Sequence, residues 1–250
     1  MGVNCKHSTC FGNRRMHRAT IIFITGTDTG VGKTVLTGLL LHYLREKGIK
    51  TLAMKPFCSG NRRDAKLLKA LQSDELTEDE VNPYYFKESL APMVAARKNR
   101  QQISLNCVLG KIRNLQKRCD LLLIEGAGGL LAPLGERFTN KNIIAKVADA
   151  VLVVGRNRLG TINHTAMTVE SMQDQGIQRI KVVLMDGRFT DDSAETNCEI
   201  LQEIVAGVPI FRLPFLGVNH SIPIDSKKTY RNIKKTLALV SRFDSLGLFF

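Results

Sequence analysis

ITGTDTGVGKT, running from Ile24 to Thr34, sets how the rest of the chain is read. It departs by one residue from the phosphate-loop pattern G-x-x-x-x-G-K-[ST]. Counting back from Gly32, Lys33 and Thr34 puts Thr27 where the first glycine belongs, and Gly26 stands one place too early. The flanks decide between an altered phosphate loop and a glycine turn that ends in GKT by accident. TIIFIT, before it, is a short apolar strand; behind it a helical pattern spans 33–47 and stops at Gly48. A glycine-rich turn that leaves a buried strand and enters a helix aims free N–H groups and the positive helix end at an anion. In that frame Thr29, Gly30, Val31 and Gly32 cradle phosphates, Lys33 reaches the β- and γ-phosphates, and the Thr34 hydroxyl suits Mg2+. The stretch reads as a phosphate loop.

Outward from the loop, strands and helices alternate. TLAMK is a second strand, an irregular stretch follows, and a helix over 104–118 leads into CDLLLIE. Then come a helix over 140–148, the strand AVLVVG, a helix over 163–175, the strand IKVVLM, a helix over 191–205 and PIFRLP. Near-continuous apolar strands separated by amphipathic helices predict an α/β fold whose mostly parallel sheet is covered on both faces. In such sheets ligands bind at the carboxyl ends of the strands. There the unusual sequence gathers: GTDTGVGKT, KPFCSG, EGAGG and GRNRLG.

Composition narrows the class. A chain of 250 residues with 44% apolar content and no repeat or linker fits a single domain over 20–250. No apolar run approaches the ~18–20 residues that cross a bilayer, which argues against a membrane partner. Six cysteines without a C-x-x-C pair suit a reducing, cytoplasmic location better than a disulfide or zinc framework. The formal charge is +13, of which Lys6, Arg14, Arg15 and Arg18 sit in the opening segment without an acid. Residues 1–19 read as a disordered extension with no secretory signal, and Met16 as an alternative start. The other basic charges are spread along the chain with no aromatic-studded stripe. They predict a solvated basic surface that attracts anionic ligands, with no nucleic-acid partner.

Magnesium takes few protein ligands, and those are hard oxygens. Glu125 ends the buried strand LLLIE just before Gly126, a poor place for a core carboxylate and a good one for a metal ligand. Asp64, at a helix start in GNRRDAKLL, has two readings that stay open here, a helix N-terminal acid and a second ligand. Asp28 suits a turn-stabilising role. Lys55 ends a buried strand before Pro56, so its ammonium points into the same crevice rather than snorkelling outward. A second cation beside a triphosphate stabilises the charge that develops during phosphoryl transfer.

GTDTGVGKT, KPFCSG, VNPYYF, IEGAGG and LGTINH occur in the order and approximate spacing of dethiobiotin synthase, and residues 20–215 resemble that family. The resemblance accounts for the altered loop, because the family carries T-D-T-x-V-G-K-T after an early glycine. It implies a P-loop NTPase-like fold with a seven-stranded, mainly parallel sheet, and a homodimer. The implied reaction joins 7,8-diaminononanoate, CO2 and ATP with Mg2+, a cyclo-ligase step that yields dethiobiotin, ADP and phosphate. Carried onto this sequence, Lys33 and Lys55 hold the γ-phosphate and carbamate charge, and Thr29 and Ser59 hydrogen-bond the carbamate. Thr34, Asp64 and Glu125 hold Mg2+, and the backbone of Gly126, Ala127, Gly128 and Gly129 lines the site. The substrate's carboxylate tail reaches the other subunit's helix start, which corresponds to Leu159, Gly160, Thr161, Ile162 and Asn163.

The chain departs from the family pattern at the base-reading position. Met185 stands where the family has an asparagine, with Asp186 beside it and the backbone at Leu213 and Pro214 nearby. A thioether is only a weak acceptor, so weak discrimination among nucleoside triphosphates is expected. From Gly217 onward the match is poor. Two other classes compete: a partition-type ATPase switch, disfavoured by Asp28 and KPFCSG, and a nucleotide-binding regulator without catalysis, disfavoured by Lys55 and Ser59. Cys58, between those two residues, is either an accessible thiol whose alkylation inhibits or a small buried filler.

Overall fold

The computed structural model describes residues 18–217 and 227–243. The extension expected over 1–19 therefore lies outside the described residues except at its end. There Ala19 is buried and the Arg18 guanidinium meets Asp149 at 3.3 Å.

The chain opens with β1 (Thr20–Gly26), α1 (Lys33–Glu46) and β2 (Thr51–Met54). The stretch that looks irregular in sequence holds β3 (Phe57–Ser59), α2 (Arg63–Leu71), α3 (Glu78–Val81), β4 (Tyr84–Phe86) and α4 (Pro92–Lys98). Next come α5 (Leu105–Gln116), β5 (Leu121–Glu125), β6 (Pro133–Gly135), β7 (Phe138–Thr139), α6 (Asn140–Val147) and β8 (Ala150–Asn157). The chain continues through α7 (Thr161–Gln173), β9 (Ile180–Asp186), α8 (Asn197–Ile204), β10 (Ile210–Leu213) and α9 (Lys227–Ser241).

The central sheet has the order β10-β9-β8-β1-β5-β2, and every neighbouring pair is parallel. Among the described residues it has six strands, one fewer than the family resemblance implies. β3 and β4 form a separate parallel ladder instead. Pro56 interrupts the continuation of β2, because it has no N–H to extend the pairing, while Lys55 N donates to Val81 O at 2.8 Å. β1, β2 and β5 are almost wholly buried, as strands covered on both faces must be.

Two helices differ from their sequence expectation for local reasons. α7 starts at Thr161, two residues early, because Gly160 takes the left-handed conformation at φ 90 and turns the chain into the helix. The single helix expected over 191–205 splits into a 3-10 turn (Asp192–Glu195) and α8. The Asp191 carboxylate accepts from Ser193 N at 3.1 Å and from Leu159 N at 2.9 Å, which ties the turn to the end of β8.

The chain leaves β1 in one direction, through α1 to β2, and later crossovers step the other way across the sheet. Right-handed connections then place α1 on one face and α5 through α8 on the other. In keeping with this, α1 packs on α2 and α9, α5 on α6, and α7 on α8. The helix after β1 thus lies on the opposite face from those after its neighbours β5 and β8, so the topological reversal falls at β1, the inner strand that carries the phosphate loop. Among the described residues no helix is long and apolar enough to cross a membrane.

Candidate active site

Strand register brings the charged groups together. Ile24 pairs with Glu125 and Met54 with Ile124, so Lys55, one residue on, lies beside Glu125 at the mouth of the loop. Lys55 Nζ donates to Glu125 Oε1 at 2.7 Å and to Asp64 Oδ2, and lies 3.5 Å from Thr34 Oγ1. Thr34 Oγ1 donates to the same Glu125 oxygen at 2.7 Å. The other oxygen, Glu125 Oε2, is buried without a partner. Burial by itself would lower the Lys55 ammonium, but Glu125 and Asp64 hold it above the ordinary lysine range. Burial does lower Lys33, to about 8, with Glu125 opposing the shift.

Two carboxylates, one hydroxyl and an orphaned buried oxygen fit Mg2+, which keeps waters and takes its other oxygens from phosphates. Among the described residues no cluster of three or more His, Cys, Asp and Glu makes a closed protein cage. Asp64 lies in the first turn of α2, and its carboxylate also accepts from Lys55 Nζ.

The early glycine has a steric cause. A Cβ on Gly26 would lie 2.9 Å from Val31 Cγ2 and 3.0 Å from Lys33 Nζ. The loop folds back over the strand end there, and Lys33 Nζ donates to Asp28 O at 2.7 Å. Thr27, in the usual glycine slot, is still tied to the sheet through its N–H to Val154 O at 2.9 Å. The chain needs its missing Cβ at 26, and a side chain at 27 costs nothing.

A cavity of about 620 Å3 opens beside the loop, lined among others by Thr29, Lys55, Ser59, Asp64, Ala127 and Gly128. Ser59 Oγ is buried without a partner. Cys58 also lines the cavity but is only 3% exposed, and burial pushes its thiol up to about 12. The filler reading fits it. Leu159, Gly160, Thr161, Ile162 and Asn163 do not line this cavity. They sit at the start of α7 on the β8 side of the loop, where Thr161 flanks a small recess with Asp28, Arg156 and His164.

Met185 is buried under the loop, its Cγ 3.0 Å from where a Cβ on Gly32 would be. Asp186 is already engaged: Arg212 Nε donates to both of its oxygens at 3.0 Å and Asn157 Nδ2 to one at 2.7 Å. Leu213 is buried opposite Met185, and Pro214 is exposed. Sequence reasoning misses three supporting residues. Asn82 Nδ2 holds Lys55 O at 2.9 Å, Arg156 Nη2 holds Gly30 O at 2.7 Å, and Asn140 fastens the EGAGG loop. Asn140 leaves one signal in sequence, an amide at the start of an apolar-faced helix; Arg156 leaves none.

A parallel sheet with a glycine-rich loop at the reversal strand, followed on a helix by lysine and threonine, makes this a P-loop nucleotide-binding protein. Residues 20–217 match the AAA domain family AAA_26. The backbone resembles the MinD cell division protein of Aquifex aeolicus, with TM-score 0.56 and 16% identity over 89% of this chain and 96% of that one. Sequence relatives narrow the class. The ATP-dependent dethiobiotin synthetase BioD of Anaeromyxobacter sp. (strain Fw109-5) is 40% identical over 197 residues, 77% of this chain and 88% of the relative. That of Bacillus subtilis (strain 168) is 33% identical over 220 residues, 85% and 92% of the two chains. The chain belongs to the ATP-dependent dethiobiotin synthetase family.

Proposed function

We propose that this chain uses ATP to carboxylate 7,8-diaminononanoate with CO2 and close the ureido ring of dethiobiotin, releasing ADP and phosphate. The observation that carries the reading is Lys55. It pairs with Glu125 and Asp64 and borders a cavity that is also lined by Ser59, whose buried hydroxyl has no partner. A protein that only bound nucleotide would need neither group on that side of the loop.

One amine of the substrate adds to CO2 and loses a proton, giving a carbamate. Thr29 and Ser59 hydrogen-bond the carbamate, and Lys55 turns from the carboxylates toward its charge and that of the γ-phosphate. A carbamate oxygen attacks the γ-phosphorus, ADP leaves, and a mixed anhydride remains. The second amine attacks the anhydride carbon and phosphate leaves. Lys33 and the N–H groups of Thr29, Gly30, Val31 and Gly32 keep the phosphates in line. Thr34, Asp64 and Glu125 would hold Mg2+, which when bound draws charge from the phosphate oxygens.

The working unit is a homodimer in the cytoplasm. The substrate's carboxylate tail meets Leu159, Gly160, Thr161, Ile162 and Asn163 of a second copy, where the first turn of α7 offers the N–H groups of Ile162 and Asn163 to an anion while those of Leu159 and Thr161 bond Asp191 and Arg158. Two observations support this: none of the five lines its own chain's cavity, and Leu159 is 80% exposed. Base contacts fall to Met185, Asp186 and the backbone at Leu213 and Pro214. The deciding experiment is ATP-dependent fixation of labelled CO2 into acid-stable product with diaminononanoate. No product above a Lys55→Ala control overturns the proposal.

A further inference from the structure

Asn140 opens α6, and none of the roles above uses its side chain, which is 1% exposed. Its Nδ2 donates to Ala127 O and to Gly129 O, both at 2.8 Å. One residue on, Lys141 N donates to Leu130 O at 3.2 Å. Two bonds thus strap the EGAGG loop to the helix start, and a third holds Leu130 just behind it. That start is itself fixed, because Thr139 N donates to Asn142 Oδ1 at 2.8 Å.

The strap has a directional effect. With the carbonyls of Ala127 and Gly129 turned to Asn140, and Gly128 left-handed at φ 67, the N–H groups of Ala127, Gly128 and Gly129 make no backbone bond among the described residues. Ala127 and Gly128 line the large cavity with Thr29, Lys55 and Ser59. Successive N–H groups around a left-handed residue form a concave anion site. Asn140 Oδ1, by contrast, is buried without a partner, and a Cβ on Gly126 would lie 2.8 Å from it. The side chain therefore serves through its NH2 alone. An aspartate would present only acceptors to two carbonyls, and an alanine no donor.

We propose that Asn140 is a positioning residue that holds the 126–129 loop with its N–H groups toward the anion formed in the cavity. The inference rests on the reaction assigned above and names a further residue for it. The phosphate loop is held by other contacts, so turnover and nucleotide binding should separate.

The test compares Asn140→Ala and Asn140→Ser with the wild type. The serine keeps a shorter donor and covers the case in which alanine fails to fold. Three quantities are read: kcat and KM for the diamine, Kd for Mg-ADP, and amide hydrogen exchange along the chain. The expected result is a kcat lowered roughly 10–100-fold, the range for outer partners that orient a ligand, with Mg-ADP affinity held within about threefold of wild type. The amides of Gly126, Ala132 and Lys141, whose hydrogen bonds anchor the loop, should exchange about tenfold faster while those of 27–34 stay unchanged, with serine intermediate. Wild-type kcat with unchanged exchange overturns the proposal, and so does an equal loss of kcat and Mg-ADP affinity. A wild-type chain that forms no dethiobiotin sinks the reaction instead, and the exchange arm then decides for or against Asn140 alone.

Discussion

Lys55 holds two jobs that substitution can separate. Its side chain is 10% exposed and bridges Glu125, at 0%, and Asp64, at 44%. Water screens Asp64 but not Glu125, so the electrostatic cost of losing the ammonium falls on Glu125. Lys55→Met leaves that carboxylate with only the Thr34 hydroxyl, and removing one partner of a buried ion pair costs about 3–5 kcal/mol. For a chain of this size each kcal/mol moves Tm by about 2–4 °C, so a drop of roughly 6–20 °C is expected. Lys55→Gln keeps an amide donor and should lose less. Mg-ADP should raise Tm more in the methionine variant than in the wild type, because it brings positive charge to an uncompensated carboxylate. Chemistry forms a separate ledger: losing a group that stabilises transition-state charge costs ~2.7–4 kcal/mol, about 100–1000-fold in kcat, in both variants. Calorimetry with and without Mg-ADP reads the first effect and labelled-CO2 fixation the second. Near wild-type turnover in Lys55→Gln would refute the catalytic role. A Lys55→Met protein as stable as wild type, with no larger Mg-ADP shift, would refute the counter-ion role.

Cys58 should resist iodoacetamide at pH 8 while the exposed Cys107 reacts. A thiol held at about 12 rather than its ordinary 9.0 carries about a thousandfold less thiolate at pH 8, and its rate should climb about tenfold per pH unit above that. Rapid modification of Cys58 at pH 8, located by mass spectrometry, would contradict its burial. A dimer should be required for turnover: mixing inactive Lys55→Ala with an Asn163 variant impaired in substrate binding should restore part of the activity through hybrid sites. A fully active monomer in sedimentation would end that claim. The wild type should prefer ATP over GTP and CTP by less than about a hundredfold in kcat/KM, or ~2.7 kcal/mol, and Met185→Asn should raise the preference. A larger wild-type ratio would mean that groups other than the Met185 side chain read the base, such as the backbone at Leu213 and Pro214.

The alternation of buried strands and amphipathic helices made the layered sheet legible, since runs such as TIIFIT and LLLIE have few other stable uses. Lys55 and Glu125 were legible because charged groups at the ends of buried strands are costly unless they meet a ligand or each other, and Lys33 and Thr34 because they follow a glycine-rich turn at a helix start. The stretch after Pro56 was not, because its elements are three to nine residues long, too short for periodicity to show. Asn82, Asn140 and Arg156 were hidden for another reason: each works by donating to backbone carbonyls of another element, and such contacts leave little or no pattern in the residues around them. Asp64 lay between: its place at a helix start was legible, its contact with Lys55 was not.

Met185 lies in the strand β9 and Gly32 belongs to the phosphate loop, yet the two pack together. Gly32 bends the phosphate loop at φ 108 and leaves room for nothing between itself and Met185, whose Cβ and Cγ lie 3.5 and 3.0 Å from a Cβ placed there. With the base-reading role proposed for Met185, the contact makes nucleobase choice pleiotropic. A side chain branched at Cβ, introduced at 185 under selection for another base, would press on the turn that grips phosphate before it met any base. Divergence in base preference is therefore channelled through residues unbranched at Cβ, methionine and asparagine among them. A lineage can drift in which base it reads only as far as its phosphate grip tolerates the substitution.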